Sequence, residues 1–154
     1  MGIQEKMKQL HITLPEPPAK GGVYASVKEL SEGLYYISGC GGYFGTEGPA
    51  GKVGSDLTVE EGQEAAKRAM LNFLSVVNAN LGGLDRIESF VKVLVFVACA
   101  PDFYDQPKVA NGATQLLVDI FGEEIGAPSR SAIGAPCLPG NTPVEIEGIV
   151  RVRR

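Results

Sequence analysis

An arginine, Arg130, stands just ahead of a short apolar run, and two glutamates, Glu145 and Glu147, alternate with apolar residues on a second run. A guanidinium can hold a carboxylate through two parallel hydrogen bonds, a geometry that a lysine ammonium does not reproduce. A carboxylate close by can orient or deprotonate a water. Singly, these residues say little. Arg130 suits a surface ion pair with either glutamate as well as it suits a ligand site. Two acids two apart on a strand, roughly 7 Å from the strand rise, usually mark a solvated face. That spacing also invites a glycosidase reading, but 154 residues leave little room for a long substrate cleft. Taken together, the cation and the acids describe a small site that grips an acid group and aims a water at it.

The other reactive residue types are less promising. His11 is the one histidine and has no partner near it in sequence, so a Ser-His-Asp site has little support. The glycine-rich stretch from Gly39 to Gly54 fits neither phosphate-binding pattern and does not run into a helix start. Cys40, Cys99 and Cys137 are odd in number and far apart, which signals neither a disulfide framework nor a zinc site. They read as free thiols in a reducing cytoplasm. Cys40, between two glycines, is either an exposed thiol or a small residue tolerated in a tight turn. A net charge of −4 gives no general attraction to nucleic acid, and the only basic cluster is Arg151, Arg153 and Arg154. No apolar window is long enough for a membrane span or a leader, so a membrane partner is not expected.

These residues have to be positioned by elements legible along the chain. The length predicts a single domain over residues 1–154, with 1–17 as an N-terminal extension containing a short helix over 3–10. Strands are expected over Val23–Leu30 and Leu34–Ser38, joined at Ser31-Glu32-Gly33. Residues 39–54 read as an extended loop with a short strand at its start. Thr58-x-x-Glu61 is a capping box that opens a helix running to Leu81 and the Gly82-Gly83 stop. Residues 89–99 are apolar at nearly every position, as in a strand deep in a sheet. Pro107 opens a second helix whose core face carries Val109, Ala113 and Leu116, leaving Asn111 off that face, with Gly122 past its end. Strands over about 130–135 and 144–152 finish a β-β-(β)-α-β-α-β-β order. Two helices cover one face of such a sheet, an α+β arrangement. The other face carries Ile149 and half of an apolar strand, which predicts that another copy of the chain covers it.

At this point the C-terminal segment "PSRSAIGAPCLPGNTPVEIEGIV" is similar to the signature of the YjgF/RidA family, the reactive-intermediate (enamine/imine) deaminases also labelled L-PSP endoribonucleases. "GGVYASV", "LYYISG" and "VKVLVFVA" resemble further family motifs, in the same order along residues 18–154. The opening "LPEPPAKGGVY" and the insert "GPAGKVGSDLTVEEGQEAA" look like a longer branch of that family. The resemblance implies a chorismate-mutase-like fold assembled as a homotrimer, with sites in clefts between subunits. It implies that Arg130 binds the carboxylate of a 2-imino or enamine acid and that Glu145 positions the attacking water. Tyr24 would line the pocket, Ser38 and Gly39 would give hydroxyl and backbone contacts, and Asn111, which matches the family's helix asparagine, and Ala132 would also bind the substrate. No metal or organic cofactor is implied, since a protonated imine is already electrophilic and needs mainly orientation. The chain departs from the family after the arginine, where Ala132 and Gly134 suggest a roomier pocket, and a binding module that senses a small carboxylate metabolite is the alternative. The endoribonuclease label ranks below both, because an acidic chain without a histidine pair is poorly equipped to cleave RNA.

Overall fold

A computed structural model describes residues 1–154. Its elements run α1 (Ile3–Gln9), β1 (Val27–Ser31), β2 (Leu34–Gly41), α2 (Val59–Asn80), β3 (Ile87–Ala98), α3 (Gln106–Gly126), β4 (Ser129–Ala135) and β5 (Val144–Val152). The five strands form one sheet in the order β1-β2-β5-β3-β4, antiparallel except for the β3–β4 pair, which α3 connects. α2 packs on β2 and β5, α3 packs on β3 and β4, and α1 rests on α3, so the helices occupy one face of the sheet.

The core lies between those layers. Val93, Val95 and Val97 of β3 and Val144, Ile146 and Val150 of β5 point into it beside Phe73, Leu74 and Leu117 from the helices, all essentially inaccessible. The alternate residues, Leu94 and Phe96 of β3, Ile133 of β4, Glu145, Glu147 and Ile149 of β5, and Tyr36 of β2, occupy the opposite face. Tyr36 and Ile133 are exposed and the rest half-buried. The strand alternation predicted for β5 is therefore observed.

Local chemistry sets most boundaries. The capping box forms as expected: Thr58 Oγ1 accepts from the Glu61 backbone N–H and the Glu61 carboxylate accepts from the Thr58 N–H. Gly122, with φ 80° and ψ 166°, breaks the regular turn of α3 where the sequence predicts its end, although four further residues coil beyond it. Two expectations fail. The first strand begins only at Val27, because residues 18–25 form an exposed strap. The extra strand in the glycine-rich stretch is a continuation of β2 to Gly41, with Ser38 and Gly39 inside it and a register shift between Ile37 and Cys40.

The remainder of that stretch is pinned from α2. Arg68 donates through Nε to the Gly42 carbonyl and through Nη2 to the Glu47 carbonyl, and its guanidinium lies 3.9 Å over the Phe44 ring. Asn72 donates through Nδ2 to the carbonyls of Gly41 and Tyr43, and Val53 adds a parallel bridge to Cys99 beyond the end of β3.

Candidate functional site

The residues with functional potential fall into two groups. The first stands at the β4 edge. Arg130 pairs across to Val93 of β3, whose side chain is buried under the helices, so Arg130 projects on the helix-bearing face. There α3 meets it. The Arg130 Nη1 donates to Asn111 Oδ1 at 2.8 Å and to Thr114 Oγ1 at 3.2 Å. Asn111 and Thr114 are three apart, hence neighbours on one helix face. Ala132 follows on the same side of β4, packed against the core. No acid of the chain lies within ion-pair distance of Arg130; the ion pairs present are Lys108–Asp105 and Arg154–Glu32.

The second group lies on the open face. Glu145 is level with Phe96 of β3 and Gly41 of β2, and together with Glu147 it lines a cleft of about 860 Å³ whose walls include Tyr24, Ser38 and Gly39. Gly39 packs tightly against Glu145: a Cβ there would stand 3.1 Å from the Glu145 carboxyl group, so that side chain would have to shift by a few tenths of an ångström. Ser38 donates from Oγ to the Ala25 carbonyl at 2.6 Å and from its backbone N–H to the Ser26 carbonyl at 3.0 Å, tying the strap to β2. The strap holds Tyr24 by its own contacts: Gly21 N–H donates to the Tyr24 hydroxyl and Lys20 Nζ to the Tyr24 carbonyl.

The electrostatics of this cleft raise three of the groups that line it, Glu145, Tyr36 and Cys40. Burial first, and then the charge of Glu147, push the Glu145 carboxyl above its ordinary value. Tyr36 is also raised, chiefly by its hydrogen bond to Glu147, then by burial and by the Glu147 charge. Cys40 is pushed up to about 12 by burial and by Glu145. It is buried and behaves as a small apolar residue, which decides against the exposed-thiol reading. No three His, Cys, Asp or Glu side chains converge in a metal-ligating group.

The two groups do not meet within one chain. β3 separates β4 from β5, so the strands bearing Arg130 and Glu145 are not neighbours. By register Arg130 is level with Val93 and Gly148, three residues from Glu145. Two strand spacings, about 10 Å, and a similar distance along the strands therefore lie between their backbones. The odd offset also puts them on opposite faces of the sheet, and the ion pair that the sequence allowed does not form.

A second correction concerns the residues after Arg130. A Cβ at Gly134 would lie 2.9 Å from both Cys99 Sγ and Gln106 Nε2, so the space beside Gly134 is already filled. Gln106 is held there by donating to the Phe103 carbonyl at 2.8 Å. Sequence reasoning did not find Gln106 or Thr114. The i, i+3 relation of Thr114 to Asn111 was readable, but nothing local showed that this face of α3 meets β4.

The chain matches the family model described as "YjgF/chorismate mutase-like, putative endoribonuclease" over residues 7–147. Protein TCP17 of Trypanosoma cruzi is 44% identical over 102 residues, which cover 66% of this chain and 64% of that protein. This chain therefore aligns with less than two-thirds of that relative's length. Among solved structures, protein Atu1372 of Agrobacterium tumefaciens, of unknown function, is 36% identical with a TM-score of 0.88, covering 99% of this chain and 92% of its own. The YjgF gene product of E. coli is 25% identical with a TM-score of 0.59, covering 90% of this chain and 94% of its own. The matched fold, motif order and family model make this chain a member of the YjgF/RidA family.

Proposed function

We propose that the protein hydrolyses small 2-imino and enamine acids to 2-keto acids and ammonia, in clefts completed by two copies of the chain within a homotrimer. The observation that carries this reading is the state of Arg130. Its guanidinium is fixed by two neutral acceptors and paired with no acid, so its full charge is left for an acid ligand. Glu145, desolvated and raised, suits a group that holds a water and takes its proton. Because Arg130 and Glu145 lie on opposite faces, one copy supplies the guanidinium and its neighbour the carboxylate. The apolar residues on the open face, Leu94, Phe96, Ile133 and Ile149, give a second copy a surface to cover.

In the proposed reaction an enamine first tautomerises to the imine. Water held by Glu145 adds to the protonated C=N carbon while its proton passes to the carboxylate. Glu145 then returns that proton to the nitrogen of the carbinolamine, whose C–N bond breaks as its hydroxyl oxygen forms the C=O bond and gives up its proton, leaving the 2-keto acid, ammonium and a regenerated carboxylate. Arg130 holds the carboxylate throughout, with Tyr24 and the Ser38-Gly39 segment along the wall. This is a matter of orientation, which is where a small rigid cleft is effective. RNA cleavage has less support: the cleft is lined by Glu145 and Glu147, which repel phosphate, and His11 does not line it.

The test is to generate 2-aminoacrylate in situ and follow keto-acid release by the purified protein. Release should be faster than spontaneous hydrolysis. Arg130→Ala should remove most of the gain, on the order of 100-fold, and Arg130→Lys should also be impaired because a point charge does not replace the fork. Release at the spontaneous rate would overturn the deaminase reading.

A further inference from the structure

The Arg130 guanidinium offers its donors unequally. Nη1 carries two N–H groups, and the structure gives it two acceptors, Asn111 Oδ1 at 2.8 Å and Thr114 Oγ1 at 3.2 Å. Nη1 is thereby saturated. Nε and Nη2 have no acceptor within the chain. These two nitrogens share one edge of the planar guanidinium and present parallel N–H bonds, the geometry that matches the two oxygens of a carboxylate.

Both acceptors are neutral, and both come from one face of α3. They set the orientation of the guanidinium plane without cancelling its charge. An acid in the same place would also orient it, but would compete with the ligand for that charge. Thr114 is itself fixed: it is half-buried, and its hydroxyl can donate back to the Ala110 carbonyl at 3.5 Å, which turns its lone pairs toward Arg130.

We propose that Thr114 is a positioning residue which, with Asn111, locks Nη1 of Arg130 so that the ligand's carboxylate docks side-on against Nε and Nη2. Asn111 thereby acts through the arginine, not on the ligand as the family resemblance implies. The inference rests on the carboxylate-binding reading of Arg130 but is tested separately from turnover.

The experiment titrates the assembled protein with 2-oxobutanoate by calorimetry, alongside KM and kcat for keto-acid release. Thr114→Val should weaken binding about fivefold and raise KM with little change in kcat, because a hydrogen bond to a charged group is lost while the reacting atoms are untouched. Thr114→Ser should restore binding to within about twofold, since it keeps the acceptor. Asn111→Asp should weaken binding by about tenfold or more, because it retains the hydrogen bond and neutralises the charge. A thermal melt of each variant checks that the fold is kept; should Thr114→Val fail to fold, the serine and aspartate variants still decide. Wild-type affinity in Thr114→Val and Asn111→Asp, with binding lost in Arg130→Ala, would overturn the positioning role and leave the pocket standing. Binding unaffected by Arg130→Ala, or no binding by the unsubstituted protein, would overturn both.

Discussion

Burial and the charge of Glu147 act on the Glu145 carboxyl in the same direction, so the folded protein holds that proton more tightly than the unfolded chain does. The contribution of Glu145 to stability is therefore greatest at acid pH and falls as pH rises from the ordinary carboxylate value through the raised one. Glu145→Gln removes the charge and keeps the shape. It should stabilise the protein at pH 7, flatten that part of the stability–pH curve, and lower keto-acid release on the order of 100-fold. Denaturant midpoints at pH 4 and pH 7, with rates on the same samples, check both halves; an unstable or fully active variant would contradict the assignment. The residue types were legible here, since a cation and two acids point to acid binding and water activation on chemistry alone. Their partners were not. Thr114 supports Arg130 only because α3 lies against β4, and Cys40 lost its candidacy only because β2 buries it.

At the scale of elements, the local signals were reliable where a backbone rule fixes the outcome. The Thr58–Glu61 box closes both hydrogen bonds, and Gly122 interrupts α3 because its positive φ suits glycine. They were poor where pairing decides, as at Val23–Ser26, expected to open the first strand but left outside it, so that β1 begins only at Val27. The seating of α3, which carries Asn111 and Thr114, depends on close approach to α2. At Gly112 a Cβ would come 2.1 Å from the Gln63 carbonyl oxygen, and Gln63 Nε2 donates to the Lys108 carbonyl at 2.9 Å in the same contact. Gly112→Ala should force the helices apart and cost about 3 kcal/mol, measured by chemical denaturation. Ligand affinity in the surviving protein should fall with it, since Asn111 is the adjacent residue. A fully stable alanine variant would show that the helices can separate freely.

For the whole molecule, the proposed site is divided between the two faces of one sheet, and that division makes a quantitative prediction. Arg130→Ala and Glu145→Gln should each be nearly inactive alone. Unfolded together in equal amounts and refolded into mixed trimers, they should recover about a quarter of the unsubstituted activity, the chance that a cleft draws its arginine from one parent and its glutamate from the other. Light scattering on the same samples should give the mass of a trimer. A mixture as inactive as its parents would refute the shared cleft. The sequence by itself determined the reactive groups, the helix starts and stops, the alternation of β5 and the family, because each depends on residue type or on spacing along the chain. Only the tertiary structure decided that β3 lies between β4 and β5, that the register sets Arg130 and Glu145 on opposite faces, and that α3 holds the guanidinium by one nitrogen. Strand order and register arise from contacts between residues far apart in sequence, and a shift of one residue turns every side chain to the other face.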